Sequence, residues 1–295
     1  MTGIICINKP QGITSFGVCA KVRGITGEKK CGHTGTLDPM AQGVLPVMLG
    51  GATKFLDFLP ESDKEYRASF ILGKTTDTLD ITGRVTAEYE VSAGRAEVEA
   101  ALCDFRGKIK QLPPMYSAIS VNGERLYDLA RRGIEVERSE REVEIKRLEL
   151  ISEANGEYTI EVLCTKGTYI RTLIDDIGRK LGCGAVMTAL TRTAAMGFTL
   201  ESCVTLEELQ DKKDKNICFT DILLPVDKAL GAYGKIAVTA PQGTRFKNGG
   251  SLDLGRLKAR IAQNDICRVY SGEEFLGLGQ ADAGELKIKR IFINK

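Results

Sequence analysis

The chain has 295 residues, enough for about two domains at the usual ~150 residues each. Its 43% hydrophobic and 27% charged composition excludes wholesale disorder, collagen-like repeats and coiled coils, and no apolar run approaches the roughly 20 residues of a membrane span. The net charge of +2 conceals an asymmetry: residues 1–60 carry +3, residues 226–295 carry +5 and the stretch between carries −6, so the two basic ends permit phosphate-binding surfaces.

Residues 3–7 predict a buried strand, and Pro10-Gln11-Gly12 ends it in a turn. A helix is expected next, with Ser15 as N-cap and Phe16, Cys19, Val22 and either Arg23 or Ile25 on one stripe. Residues 27–49 predict mostly loop, because Gly32, Gly35, Pro39, Gly43, Pro46 and Gly50 interrupt both helix and strand periodicity; a loop of that length in a compact domain is commonly functional. A short helix over 51–59 precedes residues 64–73, where Tyr66, Ala68, Phe70 and Leu72 alternate with Arg67 and Ser69 as in a strand.

Residues 94–106 predict an amphipathic helix, Pro113-Pro114 opens an irregular stretch, and 124–132 predict an exposed helix carrying Arg125, Arg131 and Arg132. Two strands, 141–151 and 157–164, are joined at Asn155-Gly156, a hairpin signal. A helix capped by Thr168 follows, with Ile170, Leu173, Ile174, Ile177 and Leu181 as its stripe and Arg171 in its first turn. A strand over 185–193 and a helix near 205–209 complete the large unit. The polar run 210–215, Pro225 and Gly231 predict a boundary near 225–235, and the remainder reads as a small, mostly β module.

Nine cysteines contain no C-x-x-C pair, which argues against structural zinc; their apolar neighbours predict small buried side chains. Residues 1–10 lack the pattern of a secretory signal, so a reducing, cytoplasmic location is expected. The single histidine, His33, excludes mechanisms that need a histidine cluster.

The most informative stretch is Gly32-His33-Thr34-Gly35-Thr36-Leu37-Asp38-Pro39-Met40-Ala41-Gln42-Gly43-Val44-Leu45. Asp38 is an acid in a glycine-punctuated loop, and Pro39 restricts its backbone toward an extended conformation. By residue type alone Asp38 fits a turn cap as well as a catalyst, and His33 fits a surface residue. The stretch, however, closely resembles the catalytic loop of the TruB family of tRNA pseudouridine synthases, G-H-x-G-T-L-D-P-x-A-x-G-V-L. The resemblance covers the whole chain. Asn8-Lys9-Pro10-Gln11-Gly12-Ile13-Thr14-Ser15 is similar to the family's opening motif, Lys64-Glu65-Tyr66-Arg67 to its tyrosine strand, Thr76-Asp77-Thr78-Leu79-Asp80 to its acidic loop, and Lys166-Gly167-Thr168-Tyr169-Ile170-Arg171 to its arginine motif. Met40, Gln42, Glu65 and Ala68 depart from the commoner pattern, and none is a reacting group.

The resemblance implies an α+β fold with a mixed, largely antiparallel sheet flanked by helices. Residues 1–228 would form the catalytic domain, with an RNA-contacting insertion near 110–140, and residues 229–295 a C-terminal PUA-like RNA-binding module. It implies isomerisation of the T-loop uridine of tRNA, position 55, to pseudouridine. Asp38 would be the essential carboxylate, Arg171 its partner and Tyr66 the ring stacked on uracil. Tyr169 and Leu190 would line the uridine pocket and Asp80 would extend the Arg171 network. Because the target is stacked in a folded loop it must be extruded, and His33 would stack on the bases left behind. Lys9, Arg131, Arg132 and the basic terminal module would contact phosphates along the T-arm and elbow. The same residues alone also fit a core tyrosine at 66, a core leucine at 190, a loop cap at Asp80 and an ordinary solvated face at Arg131 and Arg132. Expected, finally, are no cofactor, no metal, no membrane, no obligatory protein partner and a monomer. A guide-RNA-dependent relative and a tRNA-folding chaperone are the alternatives.

Overall fold

The computed structural model describes residues 1–117, 119–121, 123–257 and 260–293. The chain opens with β1 (Gly3–Lys9), α1 (Ser15–Thr26), β2 (Cys31–His33) and β3 (Gln42–Leu49), then a 3-10 helix, Gly50–Phe58. There follow β4 (Lys64–Leu72), the small hairpin β5 (Lys74–Thr76) and β6 (Val85–Glu88), α2 (Arg95–Cys103), β7 (Gly107–Gln111), a second small hairpin β8 (Ser120–Val121) and β9 (Glu124–Arg125), and α3 (Leu126–Arg131). The long hairpin β10 (Arg141–Ala154) and β11 (Glu157–Cys164) turns at Asn155 and Gly156, both at positive φ, as the Asn-Gly pair demands. α4 (Ile170–Lys180), β12 (Ala185–Ala195), β13 (Phe198–Thr199) and α5 (Leu206–Asp214) end the large unit.

Among the described residues these strands form a nine-stranded sheet in the order β1-β3-β12-β4-β11-β10-β7, with β2 added to β3 and β13 to β12. The pairings are antiparallel except for a short parallel contact of β12 with β3. The sheet is therefore mixed and largely antiparallel, as expected. One face carries α2 and α4 over Phe70, Leu148, Ile160 and Met187.

The predicted loop over 27–49 is overturned, because it contains two strands. β3 is buried on both faces: Leu45, Val47 and Leu49 point to α1 and α5, whereas Val44 and Met48 point to the C-terminal sheet. Such a strand shows no alternation, so periodicity misses it. Pro46 is tolerated within it for a visible reason. Its carbonyl accepts from Thr34 N on the β2 side, so its missing N–H faces the same way, at the gap where β12 stops and β2 begins.

Three smaller expectations are also corrected. Thr14 rather than Ser15 caps α1, accepting from Gly17 N, and Phe16 is solvent-exposed while Ser15, Val18, Cys19 and Val22 form the buried face. Tyr169 rather than Thr168 is the N-cap of α4. The polar run 210–215 continues α5, whose cap is Thr205. Of the nine cysteines, all free, Cys103 and Cys218 are exposed.

The C-terminal part holds β14 (Gly234–Val238), α6 (Ala240–Lys247), β15 (Leu252–Asp253), β16 (Ile266–Ser271), β17 (Glu274–Asp282) and β18 (Glu285–Ile291), with sheet order β14-β16-β17-β18-β15. This β-rich unit shares a core with the large sheet. Phe55 meets Phe275 and Phe292 at ring distances of 5.9 and 6.0 Å, and Tyr233 Oη donates to Phe58 O at 2.9 Å. Among the described residues no helix is long and apolar enough to cross a membrane.

Candidate active site

A cleft of about 630 Å³ opens at the end of the sheet where β4 and β12 meet the loop between β2 and β3. That size lies within the ~300–1,000 Å³ of small-ligand sites. Asp38, Tyr66, Tyr169, Arg171 and Leu190 all line it.

The loop bearing Asp38 is gripped from below by three buried side chains. Lys9 Nζ donates to the carbonyls of Pro10 (2.9 Å), Pro39 (3.4 Å) and Ala41 (2.6 Å). Ser15 Oγ both accepts from Leu37 N at 2.8 Å and donates to Leu37 O at 3.0 Å. Arg192 donates to Val44 O (2.8 Å), Gly35 O (3.2 Å) and Thr36 O (3.3 Å). Carbonyls that would otherwise be orphaned inside the protein thus find donors, which explains why a loop of this composition has one shape. Lys9 is corrected here. It is fully enclosed, so it holds the Asp38 loop and is not open to a phosphate; burial pushes its pKa down to about 8, with Asp38 opposing.

Arg171 approaches Asp38 from α4. Its Nη2 lies 2.8 Å from Asp38 Oδ2 and also donates to Tyr116 O at 2.8 Å, while Nη1 donates to Thr78 O at 2.9 Å. Asp80 Oδ2 lies 3.8 Å from Nη1, and its Oδ1 accepts from Thr78 Oγ1, Thr82 N and Thr82 Oγ1. Asp38, Arg171 and Asp80 are therefore brought together as one charge network. The guanidinium is 5% exposed, whereas the Asp38 carboxylate is 35% exposed and faces the cleft. An arginine so enclosed presents a fixed fork.

Register places the rest. Across the β4–β12 ladder Ala68 faces Leu190 and Tyr66 faces Arg192, and the two-residue repeat keeps Lys64, Tyr66, Leu190 and Arg192 on one side. Tyr66 is buried, and burial pushes its hydroxyl up to about 12, with the Arg192 cation pulling the other way. Tyr169 is held by Gln111, whose Oε1 accepts from Tyr169 N at 3.0 Å; burial raises its phenol pKa as well.

His33 ends β2 just outside the cleft, beside Thr34, which lines it. Its Nδ1 is buried without a partner, and burial, aided by Arg192, lowers its pKa. Arg131, the last residue of α3, and Arg132, its C-cap, are exposed and do not line the cleft. The Arg131 guanidinium covers the Tyr127 ring at 5.6 Å, and Arg132 pairs with Glu124 at 2.8 Å. Among the described residues no group of three or more His, Cys, Asp and Glu side chains is placed to hold a metal.

A family model described as TruB family pseudouridylate synthase (N terminal domain) matches residues 23–170, about half of the chain. The chain belongs to the TruB family. A second TruB model, tRNA pseudouridylate synthase B C-terminal domain, matches residues 171–231. A Clostridium tetani protein named tRNA pseudouridine synthase B is 44% identical over 294 residues, covering 99% of this chain and 100% of its own. One of the same name from Azoarcus sp. is 44% identical over 290 residues, covering 98% of this chain and 94% of its own. Among solved structures, a chain from a Cbf5-Nop10-Gar1 complex superposes with a TM-score of 0.78 at 27% identity, covering 99% of this chain and 85% of that one.

For this TruB-family chain, two functional-looking residues escaped sequence reasoning. Arg192 is almost completely buried, although it sits on a strand where any basic residue looks like a surface one. Lys64 opens the tyrosine strand and lines the cleft. The signal for both was available in the period of two, which sets them on the same face as Tyr66 and Leu190.

Proposed function

We propose that this TruB-family chain isomerises uridine 55 in the T-loop of tRNA to pseudouridine. The observation that carries the reading is the Asp38–Arg171 pair at 2.8 Å in a cleft walled by Tyr66, Leu190 and Tyr169. The names of the relatives aligned over nearly the whole chain support the substrate.

The uridine is everted from the loop into the cleft, at the cost of unstacking. Breaking the N1–C1′ bond develops positive charge on the ribose, which the Asp38 carboxylate stabilises, with Arg171 holding it aimed. The detached ring rotates between Tyr66 and Leu190, and C5 bonds to C1′. The C5 proton then leaves, N1 gains a proton, and the atoms balance without cofactor, metal or redox partner. Tyr66 supplies a flat face for the ring and a hydroxyl for the proton relay. Tyr169 closes the pocket, Asp80 braces Arg171, and His33, neutral near pH 7, stacks on bases at the rim. Residues 1–228 act as the catalytic domain, with α3 in the 110–140 insertion presenting Arg131 and Arg132 to the T-arm. Residues 229–295 act as a PUA-like module at the tRNA elbow. The protein works in the cytoplasm as a monomer without an obligatory protein partner.

The test is tritium release from unmodified tRNA labelled at uracil C5, with wild type and Asp38→Asn, no cofactor and EDTA present. Release confined to the T-loop uridine and seen only with wild type supports the reading. Binding without release by either protein sinks it in favour of an accessory-dependent or chaperone role.

A further inference from the structure

Lys64, half-buried, stands apart from the buried basic side chains around the cleft. Lys9 and Arg192 each serve backbone carbonyls, and Arg171 faces Asp38. Among the described residues the Lys64 ammonium has neither a carboxylate within ion-pair distance nor a hydrogen-bond partner, although the residue is half-buried. Partial burial of a charge without a partner is costly, and a ligand can supply the missing counter-charge.

Gly35 marks where the charge converges. A Cβ built on it would lie 3.5 Å from Lys64 Nζ and 3.8 Å from Arg192 Nη1, so two cations flank a spot that no side chain fills. Lys166, exposed at the rim after β11, adds a third positive charge. The groups facing Lys64 are Arg192 from β12, Lys166 from the loop and the Cys164 thiol from β11. The neighbouring acid Asp63 is taken by Lys146 at 2.8 Å. Burial, followed by Arg192, drives the Lys64 pKa down to about 8, the signature of a cation waiting for a counter-charge.

We propose that Lys64, backed by Arg192 beside Gly35, is a phosphate seat that binds a phosphodiester flanking the everted uridine. The inference rests on the proposed RNA substrate: a nucleotide turned into the cleft brings its own backbone with it. The seat lies two residues along β4 from Tyr66 and on the same face, so base and backbone are gripped by one strand. Lysine suits the role as a compact point charge, and Gly35 leaves room for the anion.

The experiment compares wild type, Lys64→Met and Lys64→Arg, each in an Asp38→Asn background, binding full-length unmodified tRNA across a salt series. It then repeats the binding with tRNAs carrying one neutral methylphosphonate at either linkage flanking the target uridine. Lys64→Met is expected to weaken binding about tenfold near 0.1 M salt and to flatten the slope of log K against log salt by about 0.7, the value for one phosphate on a single strand. Lys64→Arg should restore most of both. One neutral linkage should cost the Lys64-containing protein the same tenfold and cost Lys64→Met nothing further. An unchanged slope in Lys64→Met, or additive losses at both linkages, overturns the seat. A Lys64-dependent slope together with no tritium release by the protein carrying Asp38 would instead keep the seat and overturn the reaction.

Discussion

Replacing Arg171 by lysine keeps one positive charge in the cleft yet removes the fork. The guanidinium divides itself among Asp38, Thr78 O and Tyr116 O at 2.8 to 2.9 Å, with Asp80 at 3.8 Å, and the side chain is only 5% exposed. A lysine ammonium reaches at most one of these anchors from the same backbone position, so two contacts are lost. At about 1–1.5 kcal/mol net for each, folding should lose about 2–3 kcal/mol, which for a chain of this size lowers Tm by roughly 3–5 °C. The catalytic penalty is separate. An Asp38 displaced by about 1 Å loses on the order of 100-fold in rate, so kcat for tritium release should fall by about that factor while KM for tRNA changes less than threefold. Circular dichroism melts and steady-state kinetics read the two effects independently. A kcat within threefold of wild type in a folded Arg171→Lys protein would refute the argument that the fork positions Asp38.

Tyr66→Phe keeps the flat ring and loses the hydroxyl, so tRNA affinity should hold within about twofold while turnover drops by about 10²-fold or more; full turnover would remove Tyr66 from the proton path. Lys64→Met should raise stability at pH 7. Lys64 has a pKa near 8 in the folded chain and about 10.4 unfolded, so below pH 8 the unfolded chain holds its proton more tightly and folding is penalised. At about 1.4 kcal/mol per pH unit the relief is about 3 kcal/mol at pH 7, shrinking between pH 8 and 10.5, and thermal melts across that range check it. A lower Tm for Lys64→Met at pH 7 would contradict the uncompensated charge. Gly43→Ala should destabilise by about 3 kcal/mol or more, because Gly43 sits at φ 108° and a Cβ would fall 2.2 Å from Arg192 O. Urea titration measures this, and a loss below about 1 kcal/mol would show that β12 shifts freely.

Much of the fold was legible where one period dominates. The alternation through Tyr66 and Phe70 marked β4, Asn155-Gly156 marked the long hairpin, and the stripe Ile170, Leu173, Ile174, Ile177 marked α4. β3 was not legible, because burial on both faces erases alternation and its Gly43 and Pro46 imitate a loop. The motif residues Asp38, Arg171 and Tyr66 do meet in one cleft. Lys9 shows the limit of reading chemistry from residue type. A lysine in a motif invites a phosphate, but two carbonyls from a loop about 30 residues away, Pro39 O and Ala41 O, join that of neighbouring Pro10 in enclosing it, and no sequence pattern reports such a long-range contact. Arg192 was hidden for the same reason, since its partners lie about 150 residues away.

The aromatic cluster of Phe55, Phe275 and Phe292 turns the two sheets into a calliper. Where neighbouring domains share a large apolar core, they move as one body, unlike modules joined by a polar linker. A ligand touching both the cleft and the distal sheet is therefore gauged against a fixed span. Under the RNA reading proposed above, length becomes a criterion of selection: an RNA arm one base pair too long or too short would present its loop off the cleft, however good its local sequence. Loosening the joint at Phe55 would blur that measurement while leaving Asp38 and Arg171 where they are.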